Sequence, residues 1–374
     1  MHVRSPRSAP VVRVAGPALV VVLGRGAERA AGQAFSAAER VAADGDPATR
    51  LRAGELVAVA LEEPDPVALQ QLVRAAAQED RPVDAVVLGP APAVLPRDRL
   101  RAVTELDGNA FTVERTRAAF DRTDRTGPFD VIGDVHGCLA ELLLLLARLG
   151  YEVRLDDRGR PAGAHHPDGR TAVLAGDLVD RGPDVPGVLR LVLGMLADGS
   201  ALATAGNHDD TLRRALLGRE VHVAGGLEAS LEQLAGEPAV FRAAVVEGLD
   251  ALPPHLLLDG GRLVVAHAGL AERYHGHESA RVRALCLHGP TTGGVDEHGL
   301  PVRLPWADDY RGSALVVHGH TPTTLREVRH NTACVDGGCV FGGALVALRY
   351  PEREFVEVAA LARHSVPARP FLPA

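Results

Sequence analysis

The chain has no lysine: all 40 of its basic residues are arginine. GC-rich codon usage accounts for this, since Ala, Arg, Gly and Val run throughout. The consequence is chemical: there is no P-loop lysine, no Schiff base and no lysyl-nucleotide intermediate. Cysteine is scarce too. Cys138, Cys286, Cys334 and Cys339 show no CxxC spacing. In a chain of this size that suggests reduced thiols in a cytoplasmic protein, not a disulfide framework. No hydrophobic run approaches the roughly 20 apolar residues of a membrane span, so no membrane partner is expected. The start, MHVRSPRSAPVVRVAGPALVVVLG, imitates a signal peptide, but Arg13 breaks its apolar core and GRGAER follows where a small-residue cleavage site belongs. Positive charge is not in excess either. At a net −8, no global field pulls the protein onto nucleic acid, and strong non-specific binding there is not expected.

The 374 residues suffice for two to three domains and a sizeable core. Five short apolar runs each end on a compact polar cluster: FDVIGDVHG (129–137), TAVLAGDLVDRG (171–182), ALATAGNHD (201–209), RLVVAHAG (262–269) and ALVVHGHTP (314–322). Each run has the length of a buried strand, with its polar residues just past the strand end. Open α/β architectures place their chemistry there. The residues are Asp, His and Asn with one Arg. Carboxylate and amide oxygens with imidazole nitrogens are ligands for first-row divalent metals. A single such turn is often a plain strand-to-loop junction, and a lone His after a strand is more often a hydrogen-bonded core residue. Five in order point to a two-metal hydrolytic site.

Residues 1–125 alternate strand and helix signals: strands over 18–23, 56–61 and 85–88, a helix over 30–43, and a helix from Pro66 through Ala77 capped by Asp65. That pattern is a small α/β unit with a parallel sheet. After its first strand the chain reads GRGAERAAGQAFS. A P-loop needs GxxxxGK followed by Ser or Thr, so the loop is expected to be a non-phosphorylating relic or a plain scaffold. Residues 121–127 read as a linker. Helices are expected over 139–149, 185–196, 227–234 and 241–252, and strands over 332–335, 344–349 and 355–358. Residues 272–311 read as an irregular lobe, and the Pro-rich end, 363–374, as a loose tail.

The series GDVHG, GDLVDRG, GNHD, HAG, HGH resembles the binuclear metallophosphoesterases, the calcineurin-like superfamily that includes the phosphoprotein phosphatases. GPFDVIGDVHGC, GDLVDRGPD, GLPVRLPWADDYRG (299–312) and CVDGGCVFGGALVALRYPE (334–352) look like the phosphatase module of bacterial polynucleotide kinase-phosphatase, an RNA-repair enzyme. They are also similar to the related dinucleoside tetraphosphate hydrolases. The resemblance spans roughly residues 127–360. It implies a four-layer α/β sandwich, two sheets flanked by helices, preceded by a small P-loop-like α/β domain. The domains are then a degenerate kinase-like unit at 1–125, a metallophosphatase at 126–362 and a tail at 363–374.

Carried onto matching positions, the resemblance implies a metal set of Asp134, His136, Asp177, Asn207, His267 and His320, with Asp177 bridging. Two divalent ions would sit there, Mn²⁺ first, with Fe, Ni or Zn also compatible with these ligands. They would lower the pKa of a bridging water, and the hydroxide would attack phosphorus in line. Arg181 would fork onto the phosphate oxygens. His208 would protonate the leaving oxygen, oriented by Asp180. Arg181, Asn207 and His208 thus face substrate. Asp336 is expected to support the metals; it lies in CVDGGCVFGG, where the family usually has Thr in place of Gly337. His318 is left outside the ligand set. The pairs His165/His166 and His275/His277 read as solvated loop residues, and Cys138 as helix packing. The expected activity is hydrolysis of phosphate esters on a nucleotide, RNA end or other phosphorylated small molecule. The alternatives are a Ser/Thr phosphoprotein phosphatase, a dinucleoside tetraphosphate hydrolase, and a non-catalytic scaffold. The intact ligand set argues against the scaffold. Substrate choice is assigned to the 272–311 lobe.

Overall fold

A computed structural model describes residues 9–371 except 43, 44, 64, 94, 109 and 370. The first eight residues of the signal-like start, position 43 of the helix expected over 30–43, and tail residues 370 and 372–374 lie outside the described residues. Contacts divide the chain into two units. One holds residues 9–118 with His277–Val282, and the other holds 119–276 with 283–371.

The first unit is an open, all-parallel five-stranded sheet. Its order is Arg40–Val41, Val57–Leu61, Leu19–Leu23, Val83–Leu88, Ala102–Leu106. The central strand LVVVL is buried along its length, which explains its continuous apolar run. Asp65 caps the helix Pro66–Gln78 by accepting from Val67 N (3.0 Å) and Ala68 N (3.3 Å). Val11–Ala15 is a strand paired in parallel with Thr112–Thr116, and Arg13 sits on its exposed side. Two expectations change here. The helix expected over 30–43 runs only Ala27–Ala34. Residues 277–282, read as part of the irregular lobe, fold with this unit: Glu278 pairs with Arg101 (3.0 Å) and Ser279 Oγ donates to Asp80 (2.7 Å).

The second unit holds two five-stranded mixed sheets. One is ordered Ala201–Ala203, Thr171–Leu174, Phe129–Ile132, Ala344–Tyr350, Glu354–Ala359. The other is ordered Thr332–Cys334, Leu315–His318, Leu263–Ala266, His255–Leu258, Asp121–Arg122. Alternate residues of the two, such as Val131 and Val173 against Val265 and Val317, form one buried layer between them. On its other face the first sheet packs helices. Leu139–Leu149 presents Leu142, Leu145, Leu146 and Leu149, the spacing of a single helical stripe, and ends at Gly150 in the left-handed region. Truncating such a buried leucine to Ala costs about 2–5 kcal/mol.

The strands Phe129–Ile132, Thr171–Leu174 and Ala201–Ala203 run parallel, as do Leu263–Ala266, Leu315–His318 and Thr332–Cys334. Their carboxyl ends carry Asp134, Asp177, Asn207, His267, His320 and Asp336. The linker expected at 121–127 is in part an edge strand, Asp121–Arg122, paired with Leu257–Leu258. The lobe over 272–311 is more regular than its composition suggests. It contains the helix Ala280–His288, the antiparallel pair Thr291–Val295 and Pro301–Arg303, and the turn of helix Trp306–Asp309. The described residues of the expected tail pack instead of trailing: His364 N and Ser365 N both donate to Val340 O (3.0 Å each). No helix among the described residues is long and apolar enough to cross a membrane.

Candidate metal centre and active site

Strand ends converge here at a backbone cost. Among the described residues, ten non-glycine residues have positive φ, and five are candidate site residues: His136 (43°), Asp177 (48°), Asp180 (73°), Arg181 (68°) and His320 (70°). Such conformations cost of order 1–3 kcal/mol each and collect where surrounding structure imposes them for function. The HGH turn meets the first strand end just as tightly. A Cβ on Gly319 would run into the Asp134 carboxylate. His320 N donates to that carboxylate, at 3.1 Å to Oδ2.

Two side-chain groups meet at one residue. His136, Asp177 and His208 form one potential ion-holding set, Asp177, His267 and His320 another, and Asp177 belongs to both. His136 Nδ1 donates to Val179 O (2.7 Å) and His267 Nδ1 to Ala175 O (3.0 Å). A carbonyl only accepts, so each ring carries a proton on Nδ1 and turns its Nε2 into the site. His267 Nε2 then faces Asn207 Oδ1 (3.0 Å), His320 Nδ1 (3.0 Å) and Asp177 Oδ2 (3.3 Å). A shared cation satisfies this set. One proton serves one of three acceptors, whereas a metal ion takes them all. Burial opposes charge on His267, but the Asp177 and Asp134 carboxylates outweigh it and raise the ring to about 9.

The carboxylates show the same crowding. Burial and the neighbouring Asp336 push Asp134 well above the usual carboxylate range. Burial raises Asp336 to about 6 although Gly338 N donates to it (2.9 Å). Burial opposes charge on Asp177 too, but His267 and His208 hold it well below. Buried acids, imidazole nitrogens and an amide oxygen together fit divalent cations of the first row. Asp134 lies outside both three-residue sets and is tied to the second through His320 N.

Beside the donors sits a relay. His208 Nδ1 lies 2.6 Å from Asp180 Oδ2, and Ser230 Oγ donates to Asp180 Oδ1 (2.6 Å). Arg181 Nη2 donates to His208 Nε2 (2.8 Å) and its Nη1 to His136 Nε2 (2.6 Å). The guanidinium therefore supplies positive charge to two lone pairs, and its outer face lies over the Phe341 ring (5.2 Å). All ten residues singled out from sequence stand at this confluence, and His318 stands aside. It is half-buried and held near 4 chiefly by burial, with its ring 5.2 Å from Trp306.

Sequence reading missed several partners. Asp209 accepts from Leu178 N and Gly206 N (2.9 Å each), pinning two strand-end loops together, and burial with Asp177 nearby raises it to about 7. Its place three residues after Gly206 is the capping-box offset, a signal that was available. Ser230 has no local signal. His166 and His275 are half-buried and bonded to Leu149 O (3.2 Å) and Leu270 O (3.1 Å), not solvated. A third potential set, Cys138, Glu141 and Cys339, is a packing cluster. The Cys339 thiol is pushed far up by its bond to Cys138 and by burial, and Glu141 accepts from Leu361 N (2.9 Å).

Asp134, His136, Asp177, Asn207 and His320 line a cavity of about 190 Å³. It shares Arg303, His320, Thr321 and Arg369 with a second cavity of about 600 Å³, walled by Leu304, Pro305, Trp306 and Leu325.

Residues 127–324 match the family model described as calcineurin-like phosphoesterase. The chain is 42% identical over 233 residues to "Bis(5'-nucleosyl)-tetraphosphatase PrpE [asymmetrical]" of Geobacillus sp. (strain WCH70), covering 61% of this chain and 93% of that one. The protein of the same name in Halalkalibacterium halodurans is 42% identical over 234 residues, covering 62% and 93%. A solved structure titled as a putative diadenosine tetraphosphatase aligns at TM-score 0.46 and 23% identity, over 64% of this chain and 96% of that one. The chain is a metal-dependent phosphatase and belongs to the calcineurin-like phosphoesterase family.

Proposed function

We propose that this chain hydrolyses dinucleoside polyphosphates, cutting the phosphate chain asymmetrically at the donor cluster. The observation that carries the reading is the continuity of the cluster with the cavity of about 600 Å³, which holds the chain's single Trp and shares Arg303 and His320 with the cluster. That volume lies in the usual range for small-molecule sites. Its apolar walls and aromatic ring suit a base, and its arginines suit the phosphates. The names of relatives 42% identical to this chain support the same substrate class.

In this reading Asp134, His136, Asp177, Asn207, His267 and His320 would hold two divalent ions, with Asp177 common to the two donor groups and Asp336 supporting. Bound ions would supply Lewis-acid polarisation of phosphoryl oxygens and an activated water, with Mn²⁺ the first choice and Fe, Ni or Zn compatible. Arg181 binds the phosphoryl oxygens, together with Asn207. His208, its Nδ1 proton held by Asp180, presents Nε2 to the leaving oxygen and donates a proton there. Ser230 fixes Asp180 in turn.

The unit at 9–118 is proposed as a degenerate kinase-like scaffold, followed in sequence by a catalytic module over 126–362. Its strand Leu19–Leu23 leads through Gly24–Gly26 into the helix Ala27–Ala34. The Glu62 carboxylate accepts from Gly26 N (2.7 Å) and Glu28 N (3.0 Å) there. A P-loop offers that place to a phosphate.

The test is a substrate panel with Mn²⁺: diadenosine tetraphosphate, a 3′-phosphorylated oligoribonucleotide, a phosphopeptide and p-nitrophenyl phosphate. The expected result is the highest kcat/KM on the tetraphosphate, with a mononucleotide and a nucleoside triphosphate as products. A tenfold or greater preference for the RNA end would return the activity to RNA repair and overturn this reading.

A further inference from the structure

We infer that Arg303 and Arg369 form a second anion site, beside the donor cluster, that holds the outer phosphates of a polyphosphate chain. The inference deepens the substrate reading above and is tested apart from it. Both arginines border the small donor cavity and the larger apolar one, so they stand at the passage between the two. Arg303 ends the strand Pro301–Arg303. Among the described residues it donates only to neutral oxygens, His320 O (3.4 Å) and Thr321 Oγ1. Arg369 Nη1 lies 3.3 Å from Asp296 Oδ2. The other oxygen of Asp296 already accepts from His298 N and Leu300 N (2.9 Å each). Both guanidiniums thus border the passage, and Asp296 is the carboxylate that pairs with one of them.

Arg369 comes from the end of the chain, and packing fixes it. His364 and Ser365 are bonded to Val340 O, and the Phe371 ring meets the Phe341 ring edge-on at 6.2 Å. Phe341 is also the ring beneath Arg181. Arg369 and Phe371 are therefore docked on the wall of the donor cavity. A monoester places one phosphate among the donors and leaves the arginine pair empty. A polyphosphate with its scissile phosphoryl at the donors extends its next phosphates towards the larger cavity, past two planar forks that match phosphate oxygens. The ligand class is a linear polyphosphate ester, and the pair selects it over a monoester.

The experiment compares wild type with Arg369→Ala and Arg303→Ala. One arm measures kcat/KM for diadenosine tetraphosphate relative to p-nitrophenyl phosphate. That ratio should fall roughly tenfold to hundredfold in each variant, the weight of a lost charge-assisted hydrogen bond. An unchanged ratio, including equal losses on both substrates, overturns the inference. The second arm measures inhibition of p-nitrophenyl phosphate hydrolysis by tripolyphosphate and by orthophosphate, with Mn²⁺ in excess so that chelation does not strip the enzyme. Wild type should prefer tripolyphosphate at least tenfold, and both variants should lose that preference. No preference in wild type, or its retention in either variant, also overturns the inference. If wild type ignores the tetraphosphate yet prefers tripolyphosphate, the substrate reading falls and the anion site stands.

Discussion

His208 Nδ1 lies 2.6 Å from Asp180 Oδ2, so the imidazole is fixed in one tautomer with Nε2 facing the donor cluster. A carboxylate behind a histidine stabilises the protonated ring and leaves the far nitrogen to give up its proton. In His208→Ala, hydrolysis of alkyl phosphates should slow about 10²–10⁴-fold. An activated aryl ester should slow much less, because its leaving oxygen needs no proton. The tetraphosphate, with a weakly basic phosphate as leaving group, should fall between. Equal losses on all three substrates would mean that the ring only packs.

Ser230 should matter through Asp180 alone. Its hydroxyl is fully buried and donates to Asp180 Oδ1 (2.6 Å). Ser230→Ala leaves that oxygen short of one donor at a cost of about 1–3 kcal/mol. We expect lower kcat with KM little changed, and the same leaving-group bias as His208→Ala but weaker. A rise in KM with kcat intact would place Ser230 outside the relay.

Asp177 is the one residue common to both donor groups. Asp177→Ala should therefore leave no metal at either position, as read by elemental analysis of the purified protein. Exhaustive chelation of wild type should abolish hydrolysis of p-nitrophenyl phosphate, and added Mn²⁺ should restore it. Two equivalents of metal in the variant would show that Asp177 is not shared.

Gly319→Ala tests how tightly the loops meet. The added methyl would strike the Asp134 carboxylate. Overpacking of this kind costs about 1–3 kcal/mol, and each kcal/mol lowers Tm by about 2–4 °C in a domain of this size. Metal affinity should weaken along with Tm, since the carboxylate must move. A variant with unaltered Tm and metal content would show that the turn has room.

The candidate site was legible in the sequence because its residues are local. Each donor follows an apolar strand by a few residues, so Asp134, Asp177, Asn207, His267 and His320 announce themselves where periodicity stops. The strongest helices were legible for the same reason, and Leu139–Leu149 keeps its expected bounds. What was missed lacks such a signal. Ser230 sits on a separate helix, Leu227–Ala235, and Arg369 in a Pro-rich end that composition marks as loose. The strands Thr291–Val295 and Asp121–Arg122 are short and polar, and nothing in their residues alternates between core and solvent. Their pairing is set by the strands they join. In the first unit, the strand–turn–helix order was legible, but the carboxylate at the turn was not. Glu62 lies far along the chain from Gly26 and meets it only because their strands are neighbours.

That carboxylate bears on the last prediction, that residues 1–125 have no nucleotide kinase activity. Phosphoryl transfer at a P-loop needs backbone N–H groups on the phosphates, a lysine on the β- and γ-phosphates and a Ser or Thr on Mg²⁺. The N–H groups of Gly26 and Glu28 are already given to Glu62, and they lower its carboxyl below the ordinary value. A triphosphate would have to displace a fixed carboxylate and then sit beside it, charge against charge. The chain has no lysine to offset this, and an arginine fork differs in shape from an ammonium point charge. Incubation with γ-labelled ATP and a 5′-hydroxyl oligonucleotide should leave the oligonucleotide unlabelled. Glu62→Ala frees the N–H groups but supplies no lysine, so it should stay inactive as well. Label at the 5′ end, above that seen with a chain lacking residues 1–125, would show that the unit transfers phosphate by some other set of groups.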